Sequence, residues 1–377
     1  MVRNLAAFFG GLFLSVVVLA YAARDGSHGS EYDKAACAGP PLKSVAERVT
    51  ARENGYVIHQ RYGCIDKVSF DRVNLANAER QRARAQAFKL TADAANLSKQ
   101  TLAQARHGFT TKISVRAASL RTLPNPPNNL FVRSDYKTES DRVLPAFVTP
   151  NPVDGQKHPA IIWLAGNEPN SLGEFWISNP ESDDSAAKAF RDAGVVVMFV
   201  TLRGGNGDAR GKEFFLGEVD DVLAAADHLA SLGYVNAERI FLGGHGGGAT
   251  LALLTAETSS RFAGVFAFGP MAEVDHYSSI VVPVDFNQYS AQERRLRSPL
   301  YWLQGIESPT YMVEAKGMPG NRRDIDTLCE KANNSRVHCI LAEGENRFSV
   351  LSKVSTVIAA RLAISDSRDF SIRADEF

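Results

Sequence analysis

Short apolar runs alternate with helical stretches from His158 almost to the C-terminus of the chain. Ala160–Leu164 and Val195–Leu202 are nearly continuous apolar runs, which is typical of strands buried on both faces of a sheet. Strands joined by helices form a mostly parallel sheet, so the predicted fold class is α/β, with a central sheet flanked by helices. The other expected strands are Arg239–Leu242, Phe262–Phe268, Thr310–Glu314 and Val337–Leu341, and the expected helices are Asp184–Ala193, Glu218–Leu232, Gly247–Glu257 and Lys353–Ile364.

The composition excludes several classes of protein. The 377 residues include 42 Lys+Arg and 42 Asp+Glu, so the formal net charge is zero. A neutral chain has no global field to attract a polyanion, and we expect no nucleic-acid partner. Hydrophobic residues (45%) and charged residues (22%) occur at ordinary globular frequencies, which excludes a disordered or fibrous protein. No Cys-x-x-Cys pair or His/Cys cluster is present, so we expect no structural zinc, no other metal site and no cofactor.

The first 23 residues have the pattern of a targeting segment. Arg3 supplies one positive charge, and residues 5–23 are almost wholly apolar. Ala20-Tyr21-Ala22 supplies the small residues that signal peptidase needs, so we predict that residues 1–23 are a signal peptide and that the protein is exported, either to the periplasm or out of the cell. The alternative is an uncleaved membrane anchor, because about 19 apolar residues approach the roughly 20 that span a bilayer. We expect contact with a membrane only in that case.

Export places the four cysteines in an oxidising compartment, where disulfides persist. Four cysteines allow three connectivities. We favour Cys37–Cys64 and Cys329–Cys339, because short loops close at the lowest entropic cost. Buried, unpaired thiols are the alternative.

The chain before the sheet has a different character. Residues 69–106 are rich in Ala, Leu, Gln, Arg and Lys, lack Pro and Gly, and carry apolar residues seven apart, which predicts an amphipathic helix. A turn-rich linker follows, and then two expected strands at Leu130–Tyr136 and Val143–Val148. We therefore divide the protein after the targeting segment into a helical N-terminal segment, 24–125, and an α/β domain, 126–377.

A glycine-rich turn follows the predicted strand Arg239–Leu242. The segment Gly243-Gly-His-Gly-Gly-Gly248 leads directly into the next helix, which is the context of a G-x-S-x-G nucleophile elbow. In the frame Gly244 to Gly248, Gly246 stands at the nucleophile position. Glycine has no side chain and cannot form an acyl-enzyme intermediate. A phosphate-binding loop is the alternative, but neither the Walker pattern nor G-x-G-x-x-G with its downstream acid fits.

Several further motifs follow one another along the chain. Besides the elbow, they are His158-Pro-Ala-Ile-Ile-Trp-Leu, Leu202-Arg-Gly-Gly-Asn-Gly, Gly217-Glu-Val-Asp-Asp-Val, Arg297-Ser-Pro, Ser308-Pro-Thr and Phe348-Ser-Val-Leu. In this order they resemble the motifs of the prolyl-oligopeptidase-like serine hydrolases, which have the α/β-hydrolase fold, and of small exported hydrolases related to them. The resemblance covers about residues 130–365, and too few residues precede the sheet to build the β-propeller of the large family members.

The resemblance implies a catalytic triad that this chain does not contain intact. Family members carry the triad His just before Phe-Ser-Val-Leu, where this chain has Arg347, and a guanidinium cannot act as a general base. The triad acid follows the strand Thr310–Glu314, but no carboxylate occurs there before Asp324, and Glu314 itself is a candidate remnant. The first loop usually offers His-Gly-Gly for the oxyanion hole, and here it reads Ala165-Gly-Asn167.

Three functional hypotheses follow. The first is an exported pseudoenzyme that binds a ligand or partner at the former active site without turning it over. The second is a working esterase or peptidase with a displaced nucleophile, and the third is an envelope protein-interaction module that uses the N-terminal helix to hold a protein partner.

Under the first hypothesis, the ligand is a small anion at the carboxyl ends of the strands. The amides that begin the helix after the elbow and the guanidinium of Arg347 favour a carboxylate or phosphate. His245 precedes the vacant position and is interpreted as a packing residue, although a neutral imidazole there is able to activate water. The vestigial catalytic positions are Gly246 and Arg347, and the expected ligand-binding residues are Ala165, Gly166, Asn167, His245, Gly246, Gly247 and Arg347.

Overall fold

The chain divides into two units, Met1–Ala87 and Phe88–Phe377. In the first unit, the strands Tyr56–His59 (β1) and Gly63–Asp66 (β2) pair as an antiparallel hairpin. The predicted signal peptide, Cys37 and most of the predicted helix 69–106 lie outside the described residues. The computed structural model describes residues 56–59, 63–66, 100–111, 113, 122–166, 169–177, 184–208, 211–278, 286–287, 290–316, 321–343, 345–346, 348–364 and 371–376.

An eight-stranded sheet forms the centre of the second unit. The strands of this unit are Val132–Arg133 (β3), Tyr136–Lys137 (β4), Val143–Leu144 (β5), Ala146–Val148 (β6), His158–Leu164 (β7), Val196–Val200 (β8), Val235–His245 (β9), Val265–Phe268 (β10), Thr310–Ala315 (β11) and Val337–Ala342 (β12). The order across the sheet is β12-β11-β10-β9-β7-β8-β6-β3, and β4 pairs separately with β5. All neighbours from β12 to β8 are parallel, whereas β6 runs antiparallel to β8 and β3. The predicted α/β class with a mostly parallel sheet is confirmed.

Helices cover both faces of this sheet. They are Leu102–Arg106 (α1), Asp184–Asp192 (α2), Glu218–Ser231 (α3), Gly247–Ala256 (α4), Val274–Ser278 (α5), Ala291–Arg295 (α6), Arg322–Lys331 (α7) and Ser349–Ile364 (α8). Side chains alternate along β7, so Ile162 and Leu164 join the apolar cluster that contains α3 and α4. Ile161 and Trp163 face the opposite cluster, which α2 and α8 complete. The continuous apolar strands of the sequence are therefore explained by two buried faces.

The segment before β7 differs in detail from the sequence prediction. Instead of two longer strands, the structure has two short pairs, in which β3 lies against β6 and β4 against β5. Pro145 separates β5 from β6, and a proline has no N–H to donate to a ladder. β5 therefore ends before Pro145 in the small pair, and β6 begins after it in the large sheet.

Within the described part of the chain, none of the helices combines the length and the apolar character needed to traverse a bilayer.

A disulfide joins Cys329 of α7 to Cys339 of β12. This is one of the two pairs expected from the sequence, and it closes a short loop at the edge of the sheet. A cross-link of this loop length stabilises the folded state mainly by restricting the unfolded chain. We expect the double substitution Cys329→Ser/Cys339→Ser to lower the free energy of unfolding by about 2–3 kcal/mol, measured by urea denaturation. An unchanged urea midpoint would show that the bond contributes no stability.

Glu257 is a buried carboxyl at the end of α4, only 2% exposed. Neither carboxyl oxygen has a hydrogen-bond partner among the described residues, and burial raises the pKa of Glu257 well above its ordinary value of 4.5. The folded chain therefore keeps a proton that the unfolded chain releases as the pH rises above about 4.5. The contribution of this group to stability falls over that range.

We expect Glu257→Gln, which cannot titrate, to be close to wild type in stability near pH 4 and more stable at pH 8. Urea midpoints over this pH range measure the gap between the two proteins. Glu330→Gln, on the exposed face of α7, is the matched control and should follow the wild-type curve. A gap for Glu257→Gln that does not widen with pH would be inconsistent with a protonated, unpaired carboxyl.

Candidate functional site

The turn between β9 and α4 has the geometry of a strained strand-to-helix elbow. β9 ends at His245, α4 begins at Gly247, and Gly246 between them has φ 55° and ψ −113°. A positive φ combined with this ψ is unfavourable for residues that carry a side chain, and it persists only where the surroundings impose it. Such strain is typical of the central residue of a G-x-S-x-G turn.

The three alternate glycines of the turn differ in how much space surrounds them. A Cβ at Gly244 would lie 2.6 Å from the carbonyl carbon of Gly248, and a Cβ at Gly248 would lie 2.2 Å from the carbonyl oxygen of Leu164. A Cβ at Gly246 would meet nothing closer than the Gly166 oxygen at 3.7 Å, an ordinary contact. Packing thus demands glycine at 244 and 248, whereas at 246 there is room for a side chain that the sequence does not supply.

The backbone amides at the elbow are engaged within the protein. Gly246 N–H donates to the carbonyl of Phe268 (2.8 Å), and Gly247 N–H donates to the carbonyl of Gly166 (3.2 Å). Both amides, which the sequence predicts to face a bound anion, are bonded to main-chain carbonyls in this conformation. The Ala165–Gly166 turn lies against the elbow. Its Gly166 carbonyl accepts the Gly247 N–H, the donor that would bind the carbonyl oxygen of a substrate in an oxyanion hole.

His245, the last residue of β9, is half-buried beside the elbow. Its ring centroid lies 6.2 Å from that of Phe348, in an edge-on arrangement. The interpretation of His245 as a packing residue stays a prediction. Asn167 and Arg347, the other predicted residues of the mouth, lie outside the described residues.

A buried threonine connects the elbow to the chain that follows β10. Thr250 Oγ1 donates to the Gly246 carbonyl (3.1 Å) and accepts the N–H of Met271 (3.0 Å). The next residue, Ala272, donates its N–H to Asp324 at the start of α7 (3.0 Å). The segment after β10 is therefore held between the elbow and the segment after β11, where the family places its triad acid.

Two carboxylates near the end of β11, Glu314 within the strand and Asp324 on α7, are bonded to other groups of the protein. Glu314 is buried and accepts the backbone N–H groups of Ala315 (2.8 Å) and Asn321 (2.9 Å). Asp324 instead bonds to Nδ1 of His276 on α5, and this hydrogen bond raises the pKa of His276. The sequence analysis missed this His–Asp pair, because its members are 48 residues apart and belong to no local motif.

A buried ion pair fixes the loop after β8 next to the site. Arg203 donates from Nε and Nη2 to Asp221 of α3 at 2.9 and 2.8 Å, and from Nη1 to Glu213 at 2.9 Å. Burial by itself lowers the pKa of Arg203, but the hydrogen bonds and charges of these carboxylates outweigh it and raise the pKa, so the guanidinium remains a cation. Leu202 N–H donates to the Asn170 carbonyl (3.0 Å), so the loops after β7 and β8 are tied together. Two motifs quoted from the sequence, around Arg203 and around Asp221, thus form one structural unit.

Comparison with known proteins supports the fold described above. Residues 181–301 match the model of the prolyl oligopeptidase family, Peptidase_S9. A Mycobacterium tuberculosis puromycin-hydrolyzing peptidase is similar to this chain with TM-score 0.50 and 16% identity, covering 63% of this chain and 40% of that chain. A mutant puromycin hydrolase crystallised as a complex has TM-score 0.50 and 18% identity, covering 62% of this chain and 39% of that chain. The present chain therefore spans well under half the length of either peptidase.

A shorter solved structure, 2,6-dihydroxy-pseudo-oxynicotine hydrolase, has TM-score 0.48 and 18% identity, covering 63% of this chain and 68% of that chain. No curated protein sequence matches the chain. The domain has the α/β-hydrolase fold.

Proposed function

We propose that this α/β-hydrolase-fold chain, similar to the prolyl oligopeptidase family over residues 181–301, no longer catalyses acyl transfer at its elbow and instead binds a ligand or partner there. One observation carries the proposal. Gly246 keeps the strained backbone of a nucleophile position, with space for a side chain, yet has no atom that can attack a carbonyl.

The state of the oxyanion site supports the same conclusion. A working elbow leaves the N–H that follows the nucleophile open to the developing negative charge. Here that amide, on Gly247, donates to the Gly166 carbonyl. Removing a single oxyanion donor costs about 10²–10³ in turnover, so the loss extends beyond the missing hydroxyl.

The groups that would serve as base and acid also support loss of catalysis. Arg347 stands in the sequence where the family has its triad His, and a guanidinium does not give up its proton at physiological pH. Glu314, the candidate remnant of the acid, accepts two backbone N–H groups. A nucleophile restored at 246 would still lack a base and an open oxyanion site.

We propose that the ligand is a small carboxylate or phosphate, with Arg347 supplying the positive charge. A guanidinium forms paired hydrogen bonds with such oxyanions. When the Ala165–Gly166 turn moves aside, the Gly247 N–H adds a donor at the beginning of α4, where the helix dipole favours an anion.

Calorimetric titration with phenyl phosphate tests the binding proposal. We expect Arg347→Ala to weaken binding at least tenfold, because the charged partner of the anion is removed. Arg373→Ala, at an exposed arginine in the C-terminal region, is the matched control and should bind as wild type does. Equal affinity of the wild-type protein and Arg347→Ala would contradict the proposal.

We also propose that the protein is exported after cleavage of residues 1–23. The Cys329–Cys339 disulfide supports an oxidising destination. The intact mass of the mature protein tests this, since cleavage removes the apolar segment. A full-length mass in the membrane fraction would indicate the anchored alternative.

A further inference from the structure

A serine and a histidine are paired where the segment between β3 and β4 meets α3, in residues to which the proposed function assigns no role. Ser134, between β3 and β4, places its Oγ 2.8 Å from Nε2 of His228 in the last turn of α3. Both residues are half-buried, and Ser134 is held in place because its N–H donates to the Ala146 carbonyl (2.9 Å). A hydroxyl within hydrogen-bond reach of an imidazole is the basic arrangement of an activated nucleophile.

The surroundings keep the imidazole in the form that can accept a proton. Burial lowers the pKa of His228, and the charge of Asp135 acts in the opposite direction without reversing the shift. The Asp135 carboxylate is itself held by two hydrogen bonds from Arg133, at 2.7 and 2.9 Å. At neutral pH the ring is therefore uncharged, and in the tautomer with the proton on Nδ1 its Nε2 accepts from the serine hydroxyl.

A groove opens beside the imidazole. Its volume is about 360 Å³, and His228, Leu223 and Ala224 of α3 line it together with Lys137 and Thr138. The apolar pair suits a short acyl chain. The ammonium of Lys137 at the groove is paired with Asp141 (2.8 Å). The other charged groups lining the groove are Glu139, Asp220 and Asp227, of which Asp220 and Asp227 are paired with Arg106 (2.9 Å) and Arg261 (3.2 Å).

We propose that Ser134 is a nucleophile with His228 as its general base, and that it is acylated by small neutral carboxylic esters bound in this groove. The Ser134 Oγ forms a bond to the acyl carbon while its proton passes to His228 Nε2. The bond from the acyl carbon to the ester oxygen breaks, and that oxygen keeps the electron pair. The His228 imidazolium then gives its proton to this oxygen, so the alcohol leaves and the imidazole is neutral again. This site is separate from the elbow, and it goes beyond the function proposed there.

4-Nitrophenyl acetate tests the proposal on the full chain. We expect a burst of about one nitrophenolate per protein molecule and an acetyl group mapped by peptide mass spectrometry to Ser134. Ser134→Ala and His228→Gln should each lower the burst rate at least 100-fold, since a positioned base contributes about 10²–10⁴. Ser352→Ala, at an exposed serine of α8, is the control and should react as wild type does.

The pH dependence separates a base from a structural partner. With His228 as base, the burst rate should reach half its maximum below pH 6.5 and remain level from pH 7 to 8. Non-specific acylation of lysines instead increases with pH throughout this range. An acetyl group mapped elsewhere, no burst, or a His228→Gln burst rate equal to wild type would each overturn the proposal. None of these results bears on the elbow, which is tested by Arg347→Ala and by peptide turnover.

Discussion

Gly248→Ala is expected to destabilise the protein by about 4 kcal/mol or more, enough to prevent folding in a domain of ordinary stability. The added Cβ would lie 2.2 Å from the Leu164 carbonyl oxygen and 2.7 Å from that of Ala165. Both atoms belong to the backbone at the end of β7, so no side-chain rotation relieves the clash. Soluble yield and the urea midpoint of any folded material measure the effect.

Gly246→Ala is the matched control for this prediction. It adds the same methyl group two residues earlier, where the nearest atom is 3.7 Å away. The cost there is only the strain of φ 55°, about 1–3 kcal/mol. If Gly246→Ala destabilised the protein more than Gly248→Ala, the position assigned to the vacant nucleophile would be wrong.

Asp221→Ala is expected to lower the free energy of unfolding by about 3–5 kcal/mol. Asp221 is fully buried and accepts two side-chain hydrogen bonds from Arg203, together with the Arg203 backbone N–H. Removing the carboxylate leaves a largely buried guanidinium without its main partner, and that desolvated charge is the source of the cost. Urea denaturation at pH 7 measures the change.

Asp227→Ala removes an ion pair from the same helix at the surface and serves as the comparison. Asp227 is 76% exposed and lies 3.2 Å from Arg261, so its loss should cost less than about 1 kcal/mol. Equal effects of the two substitutions would mean that the Arg203–Asp221 pair does not hold the loop after β8 in place.

Much of the sheet was predictable because burial on both faces leaves a plain signal. β7, β8 and β11 are buried, mainly apolar segments, and the structure places them within a few residues of the expected bounds. β9 is longer than predicted, since Gly243, Gly244 and His245 extend it toward the elbow by pairing with β10. Glycine has low intrinsic strand preference, and only the neighbouring strand makes these residues part of the sheet.

Other elements left too weak a pattern to be found. α7 is mostly charged, and only Ile325 and Leu328 among its apolar residues are fully buried, so its periodicity is slight. The elbow frame was accessible from the spacing of Gly244, Gly246 and Gly248. The hydrogen bond from Gly247 to Gly166 was not, because it joins residues far apart in sequence through main-chain atoms that are the same in every residue type.

The central claim is that the elbow carries no acyl-transfer chemistry, and peptide turnover tests it most directly. The substrate is a prolyl peptide 4-nitroanilide, and the protein is the folded Ser134→Ala variant, which removes the serine proposed to react elsewhere. The account predicts no release of nitroaniline above that of the same protein after heat unfolding. Sustained release of many product molecules per protein molecule, abolished by His245→Gln, would contradict it.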